Sequence, residues 1–104
     1  MGDGETVFGA ISAPCRREML RMLAGGELSV SELAEPFGMS LSAVSQHLAV
    51  LKEAGLVSQR KQGKHRMYRL EPAPLRKVDD WLAPYRTFWP DRLDRLGRYL
   101  EENP

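Results

Sequence analysis

The sequence predicts a mainly α-helical fold that carries one β-hairpin. Apolar residues recur at helical spacing in several segments that end at Gly or Pro, whereas residues 56–70 alternate around a glycine turn. The length of 104 residues suits a single domain spanning residues 1–104. Because a domain of this size buries only a modest core, self-association would help to stabilise it.

Two helices are expected before the glycine pair Gly25-Gly26. The first is weak and covers residues 6–11. The second runs from Pro14, a residue suited to a first helical position, to about residue 24. An apolar stripe on this second helix should face the core, with its arginines pointing away; the stripe contains Cys15, Met19, Met22 and Leu23.

The next two helices are predicted to form a helix-turn-helix over about residues 30–54. Ser29 and Glu32 match a capping box, so a short helix should begin at Val30 and end at Gly38, with Pro36 disturbing its last turn. After a brief turn, Ser40 is the expected N-cap of a helix over residues 41–54, which Gly55 closes.

The second of these helices has two contrasting faces. At 100° per residue, one narrow arc is apolar and is expected to face the core: Leu41, Val44, Leu48 and Leu51. The opposite side carries Ser42, Gln46 and Ala49, with Ser45 at its edge. Small residues allow close approach to a DNA groove, and Gln46 offers a donor and an acceptor to a base edge, although a merely solvated polar face is the alternative.

Residues 56–61 and 65–70 are predicted to pair as a hairpin, with a turn at Gln62-Gly63. This segment, about residues 56–70, is rich in Lys and Arg and contains no acid. A two-stranded hairpin is barely stable alone, so it should lean on the helices. The residues expected to make that contact are Val57, Met67, Tyr68 and Leu70.

Proline-punctuated helices are expected over about residues 74–102. Pro74 can open one helix, Pro84 interrupts it, and a last helix kinks at Pro90. Five of the eight aromatic residues fall between Trp81 and Tyr99. So many aromatic side chains in the terminal helices indicate a protein interface; the alternative is that they cover the core of the same subunit.

The net charge of +1 conceals a basic block. Residues 1–40 hold three Arg and six acids, a net charge of −3. Residues 41–70 hold six Lys or Arg and one acid (+5), and residues 71–104 hold six and seven (−1). Such a block is typical of a nucleic-acid surface, although a solvated basic face would have the same pattern.

We expect a soluble, cytoplasmic protein. A single cysteine excludes an internal disulfide framework and fits a reducing compartment. The N-terminal sequence does not read as a secretory signal, and no stretch is apolar enough to suggest a membrane span.

A helix, a helix-turn-helix and a basic hairpin in this order make a winged helix-turn-helix. The stretch ELSVSELAEPFGMSLSAVSQHLAVLKEAGLVSQRKQGKHRMYRLEP resembles the ArsR/SmtB family of bacterial transcriptional repressors, and the similarity covers about residues 12–72. The resemblance implies a homodimer, formed through N- and C-terminal helices, that represses transcription by binding double-stranded DNA at a pseudo-palindromic operator.

Residue roles follow from the same resemblance. It implies DNA contacts at Ser40, Leu41, Ser42, Ser45, Gln46, His47, Lys61, Lys64, His65 and Arg66. It implies a dimer interface at Val7, Phe8, Trp81, Tyr85, Phe88, Trp89, Leu93, Leu96 and Leu100. Leu41 stands where the family often has Gln, so it could meet a thymine methyl or pack inward. His47 stands where a packing role is also common.

The departures from the family argue against metal sensing at its usual sites, and no cofactor is expected. Many members bind soft metals through a Cys-x-Cys motif, which Ser29-Val30-Ser31 replaces here. Other members use Asp and His ligands on the C-terminal helices, whereas no His follows His65 in this sequence. Cys15 is either a small core residue or a redox switch. An enzyme is not expected, because Cys15, His47 and His65 lie on elements with no evident reason to converge. A protein-interaction module and a sensor with an unrecognised metal site remain alternatives.

Overall fold

The computed structural model describes residues 3–89, with side chains from Thr6 onward, and has the predicted mainly α-helical fold with a hairpin. The helices are α1 (Asp3–Ala10), α2 (Pro14–Leu23), α3 (Val30–Ala34), α4 (Leu41–Glu53) and α5 (Arg76–Leu82). The strands are β1 (Leu28–Ser29), β2 (Val57–Gln62) and β3 (His65–Leu70). Short 3-10 segments cover Glu35–Phe37, Ala73–Leu75 and Ala83–Phe88.

The predicted helix-turn-helix is confirmed, with an earlier end to its first helix. In the capping box, the Ser29 hydroxyl accepts from the Glu32 backbone N–H at 3.2 Å, and the Glu32 carboxylate accepts from the Ser29 N–H at 2.9 Å. The α-helix stops at Ala34 rather than at Gly38. Pro36 lacks the N–H that a further helical turn needs, so the chain tightens into a 3-10 segment and turns at Gly38, whose φ is 64°.

Ser40 is the N-cap of α4, as predicted. Its hydroxyl accepts from the Ala43 backbone N–H at 3.1 Å. Gly55 follows the helix with a φ of 77°, a left-handed conformation that favours glycine. Together these caps fix the length and the direction of α4.

The hairpin belongs to a sheet of three strands within residues 3–89, ordered β1-β3-β2 and antiparallel throughout. The prediction of two strands missed β1, whose two residues are too few to show a period. The turn also differs by one residue. Gln62 pairs with His65, so Gly63 (φ 62°) and Lys64 form the turn instead of Gln62-Gly63.

The core lies where α1, α2, α3 and α4 meet the base of the hairpin. Its fully buried side chains are Val7, Met19, Leu33, Val44, Leu48, Leu51 and Leu56. Val57 and Tyr68 are also buried and anchor the hairpin, as predicted, while Leu70 packs against the core and is partly buried. Burial at the hairpin base leaves its far end to project into solvent.

The C-terminal segment begins as predicted and is interrupted at Pro84. A 3-10 turn at Ala73–Leu75 leads into α5, and the chain then continues as a 3-10 segment, Ala83–Phe88. The predicted kink at Pro90 and the interface residues Leu93, Leu96 and Leu100 lie outside the described residues. Within residues 3–89, no helix is long and apolar enough to cross a membrane.

Candidate nucleic-acid interface

The outer face of α4 is open to solvent and carries uncharged side chains. Ser42, Ser45, Gln46 and Ala49 are all exposed, whereas the opposite face of the helix is buried in the core. None of these four side chains is charged, and the other three are small, so another surface can approach the helix backbone closely beside Gln46. The hydroxyls and the Gln46 amide are then available as hydrogen-bonding groups.

Leu41 was predicted to face the core, and that prediction is wrong. Its residue surface is 54% exposed. As the first residue of α4, Leu41 lies beyond the packed layer that covers Val44 and the later turns. It lines a groove of about 320 Å³ between α4, the start of α3 and the end of the hairpin. The inward-packing alternative is therefore excluded.

His47 is turned toward α2 and away from the exposed face of α4. It is half-buried, and its Nε2 lies 3.5 Å from the Cys15 Sγ, with Nδ1 at 3.8 Å. The Arg16 guanidinium donates to Nδ1 at 3.2 Å. Since arginine can only donate, a neutral His47 carries its proton on Nε2, next to the sulfur. The ring therefore joins α2 to α4 and is not grouped with Ser42 and Gln46.

Two expectations about α2 need correction. Cys15 and His47 do converge, because α2 packs across α4. Arg16 does not point away; it is half-buried, and it donates to the Ala10 carbonyl at 2.7 Å as well as to His47. Partners more than thirty positions apart leave no local signal in the sequence.

Two arginines of the hairpin, Arg60 and Arg69, pair with carboxylates that lie outside residues 56–70. Arg60 makes a forked contact with Glu27, its shortest N···O distance being 2.7 Å. Arg69 bonds Glu71 at 3.1 Å, and Glu71 also accepts from the Ser58 hydroxyl at 2.7 Å. These bonds lower the pKa of Glu27, chiefly through Arg60, and of Glu71, chiefly through Ser58.

Three other cations, Lys61, Lys64 and Arg66, lie at the far end of the hairpin. Together with His65 they form the surface that we call the wing tip. All four side chains are exposed. Among the described residues, no carboxylate pairs with Lys61, Lys64 or Arg66. Lys64, His65 and Arg66 form one wall of the groove that Leu41 and Ser45 line on the other side. The wing tip and the open face of α4 thus border one continuous surface.

The residues at the family's Cys-x-Cys position lie at the start of α3 as Ser29-Val30-Ser31. Within residues 3–89, no group of three or more His, Cys, Asp and Glu side chains could hold a metal ion. The hydroxyl of Ser29, at the position of a family cysteine, is engaged in the capping box.

A second exposed surface is aromatic and joins α1 to the C-terminal segment. The Phe8 and Trp81 rings meet edge to face with centroids 6.0 Å apart, and Trp81 lies 5.1 Å from Tyr85. Phe88 is 77% exposed, and Trp89 is also exposed. Val7 does not join this surface: its side chain is fully buried in the core, because it lies on the inner side of α1.

The sequence of this chain is similar to that of one family of known proteins. Residues 13–59 match the model of the arsR family of bacterial regulatory proteins. The chain is 37% identical over 79 residues to the transcriptional repressor SdpR of Bacillus subtilis, covering 76% of this chain and 88% of SdpR. It is 47% identical over 66 residues to the transcriptional regulator Rv2034 of Mycobacterium tuberculosis, covering 64% of this chain and 62% of that protein.

The solved structures agree in fold. A crystal structure of an ArsR family transcriptional regulator has a TM-score of 0.75 and 36% identity, and the match covers 84% of this chain and 90% of that one. These similar proteins are regulators of transcription and not enzymes. The matched segment includes α2, α3 and α4, so it contains the helix-turn-helix.

Proposed function

Because this chain belongs to the arsR family and is a DNA-binding transcriptional regulator, we propose that it acts as a homodimeric repressor at a pseudo-palindromic operator. The observation that carries the proposal is the open face of α4 beside the wing tip, whose Lys61, Lys64 and Arg66 pair with no carboxylate of residues 3–89. A helix with small polar residues fits the major groove, and the adjacent cations suit phosphates or the minor groove. Since its proposed target is operator DNA, we also propose that the protein acts in the cytoplasm.

The contacts divide by chemistry. Ser42, Ser45 and Gln46 face base edges in the major groove, and Gln46 can donate and accept at one base. Lys61, Lys64, His65 and Arg66 of the wing tip contact the phosphate backbone, which fixes register without reading sequence. Ser40 acts at the start of α4 as its N-cap, and His47 holds α4 against α2 instead of touching DNA.

Dimerisation uses the aromatic surface of α1 and the C-terminal segment. Five aromatic side chains of this surface are exposed to solvent: Phe8, Trp81, Tyr85, Phe88 and Trp89. Aromatic residues are enriched at protein interfaces. Leu93, Leu96 and Leu100 extend this interface in the proposed dimer. Two copies related by a two-fold axis present two α4 helices to successive major grooves.

Regulation in this proposal does not use metal at the family's usual sites. The hydroxyls of Ser29 and Ser31 are poor ligands for soft metal ions, and Ser29 already caps α3. Adding Zn(II), Ni(II) or Cu(I) to the DNA complex should leave its affinity unchanged. A shift with any one of these ions would reveal a metal site elsewhere in the protein.

Fluorescence anisotropy tests the DNA-binding proposal. The protein is titrated into labelled duplex from the region upstream of its own gene and into a scrambled duplex of equal length, at about 150 mM salt. We expect much tighter binding to the upstream DNA. Equal affinities for the two duplexes would contradict sequence-specific repression there, and weak binding to both even at low salt would indicate a protein-interaction module.

A further inference from the structure

We propose that Leu41 reads the 5-methyl group of a thymine in each operator half-site. The inference rests on the proposed function and adds to it the identity of one base. The observation behind it is that Leu41, a large apolar side chain, is exposed on the proposed DNA-binding surface. The other side chains of this surface provide hydroxyls, an amide and cations.

The position of Leu41 on its helix suits base contact. It is the first residue of α4, directly after the N-cap, and its neighbours on the open face are Ser42 and Ser45. Residues at the N-terminal end of a recognition helix are those that meet base edges when the helix enters the major groove. A Leu41 side chain that is 54% exposed can therefore reach the bases without rearrangement of the core.

The surroundings of Leu41 distinguish it from the other exposed apolar residues. Phe8, Trp81, Tyr85, Phe88 and Trp89 belong to the aromatic surface, and Val50 lies on a later turn of α4. Leu41 instead lines the groove whose other wall is Lys64 and Arg66 of the wing tip. A DNA strand that is held by those cations passes next to Leu41.

The chemistry of the major groove leaves one suitable partner. The edges of adenine, guanine and cytosine present donors and acceptors, whereas thymine adds an apolar methyl group. Leucine covering a donor or acceptor would leave that group without a hydrogen bond, which is costly. Leucine against the methyl group removes apolar surface from water. The side chain therefore favours thymine over the other bases.

Replacing thymine by uracil removes only the methyl group, so it tests this contact directly. The operator is first selected from random DNA with the wild-type protein. Each thymine is then replaced singly by deoxyuridine, and the affinities of wild type, Leu41→Ala and Val50→Ala are measured by anisotropy. Val50→Ala is the matched control, because Val50 is also apolar and exposed on α4 but lies about two and a half turns further along the helix.

For wild type and Val50→Ala we expect a loss of roughly fourfold at one thymine of each half-site, as burial of one methyl-sized group implies. For Leu41→Ala we expect equal affinity for thymine and uracil there, with unchanged thermal stability and unchanged salt dependence of non-specific binding. The inference is overturned if uracil has no effect at any position, or if Leu41→Ala stays as sensitive as wild type. Failure to select any operator would instead overturn the proposed function, and this inference with it.

Discussion

Two serines at the start of α4 have different roles. The Ser40 hydroxyl accepts from the Ala43 backbone N–H at 3.1 Å and so satisfies a donor that the helix leaves open. Ser42 is exposed, and its side chain makes no hydrogen bond to residues 3–89. The first serine therefore stabilises the helix, and the second is available for DNA.

Substituting each serine by alanine separates these roles. We expect Ser40→Ala to lower the free energy of unfolding by about 1 kcal/mol, a typical cost of losing an N-cap. Ser42→Ala should leave the free energy of unfolding within about 0.5 kcal/mol of wild type, yet weaken operator binding. Urea denaturation and anisotropy measure the two effects. Equal destabilisation by both changes would contradict the assignment.

The cations of the hairpin are of two kinds. Arg60 and Arg69 are paired with Glu27 and Glu71, whereas Lys64 at the wing tip has no carboxylate partner among the described residues. The +5 charge of residues 41–70 therefore overstates the charge that DNA can meet. Glu27 is 33 positions from Arg60, so composition within the segment could not reveal the pairing.

A matched pair of wing substitutions tests this division. Lys64→Ala should weaken binding to all duplexes and reduce the slope of log K against log salt by about one unit, since one phosphate contact is lost. Arg60→Ala should leave that slope unchanged, because Glu27 already neutralises Arg60. Anisotropy titrations over a series of salt concentrations provide both slopes. An equal reduction in the two variants would show that Arg60 contacts DNA as well.

The parts of the whole fold that could be predicted from the sequence are those that depend on neighbouring residues. The capping box at Ser29, the cap at Ser40 and the turn glycine Gly63 each depend on a few neighbouring residues, and the sequence located all three. The short strand β1, the contact between Cys15 and His47, and the burial of Val7 depend on how distant elements pack. The exposure of Leu41 likewise depends on what lies next to the first turn of α4.

The aromatic surface allows a test of assembly. Phe88 is 77% exposed within the described chain, so Phe88→Ser should leave the subunit folded while weakening the proposed dimer. We expect sedimentation analysis to show a shift from dimer to monomer and anisotropy to show weaker operator binding. Leu41→Ser, an equally polar change away from the aromatic surface, should remain dimeric. A wild-type protein that sediments as a monomer at all concentrations would contradict the dimer.

Selection of bound sequences from random DNA by the wild-type protein shows whether two copies of the chain bind one operator. A dimer that inserts two α4 helices into successive major grooves requires two half-sites in inverted orientation, with centres about 10 base pairs apart or a multiple of that spacing. We expect the enriched sequences to contain such a pair. Enrichment of a single unpaired half-site, or of no sequence at all, would contradict the account.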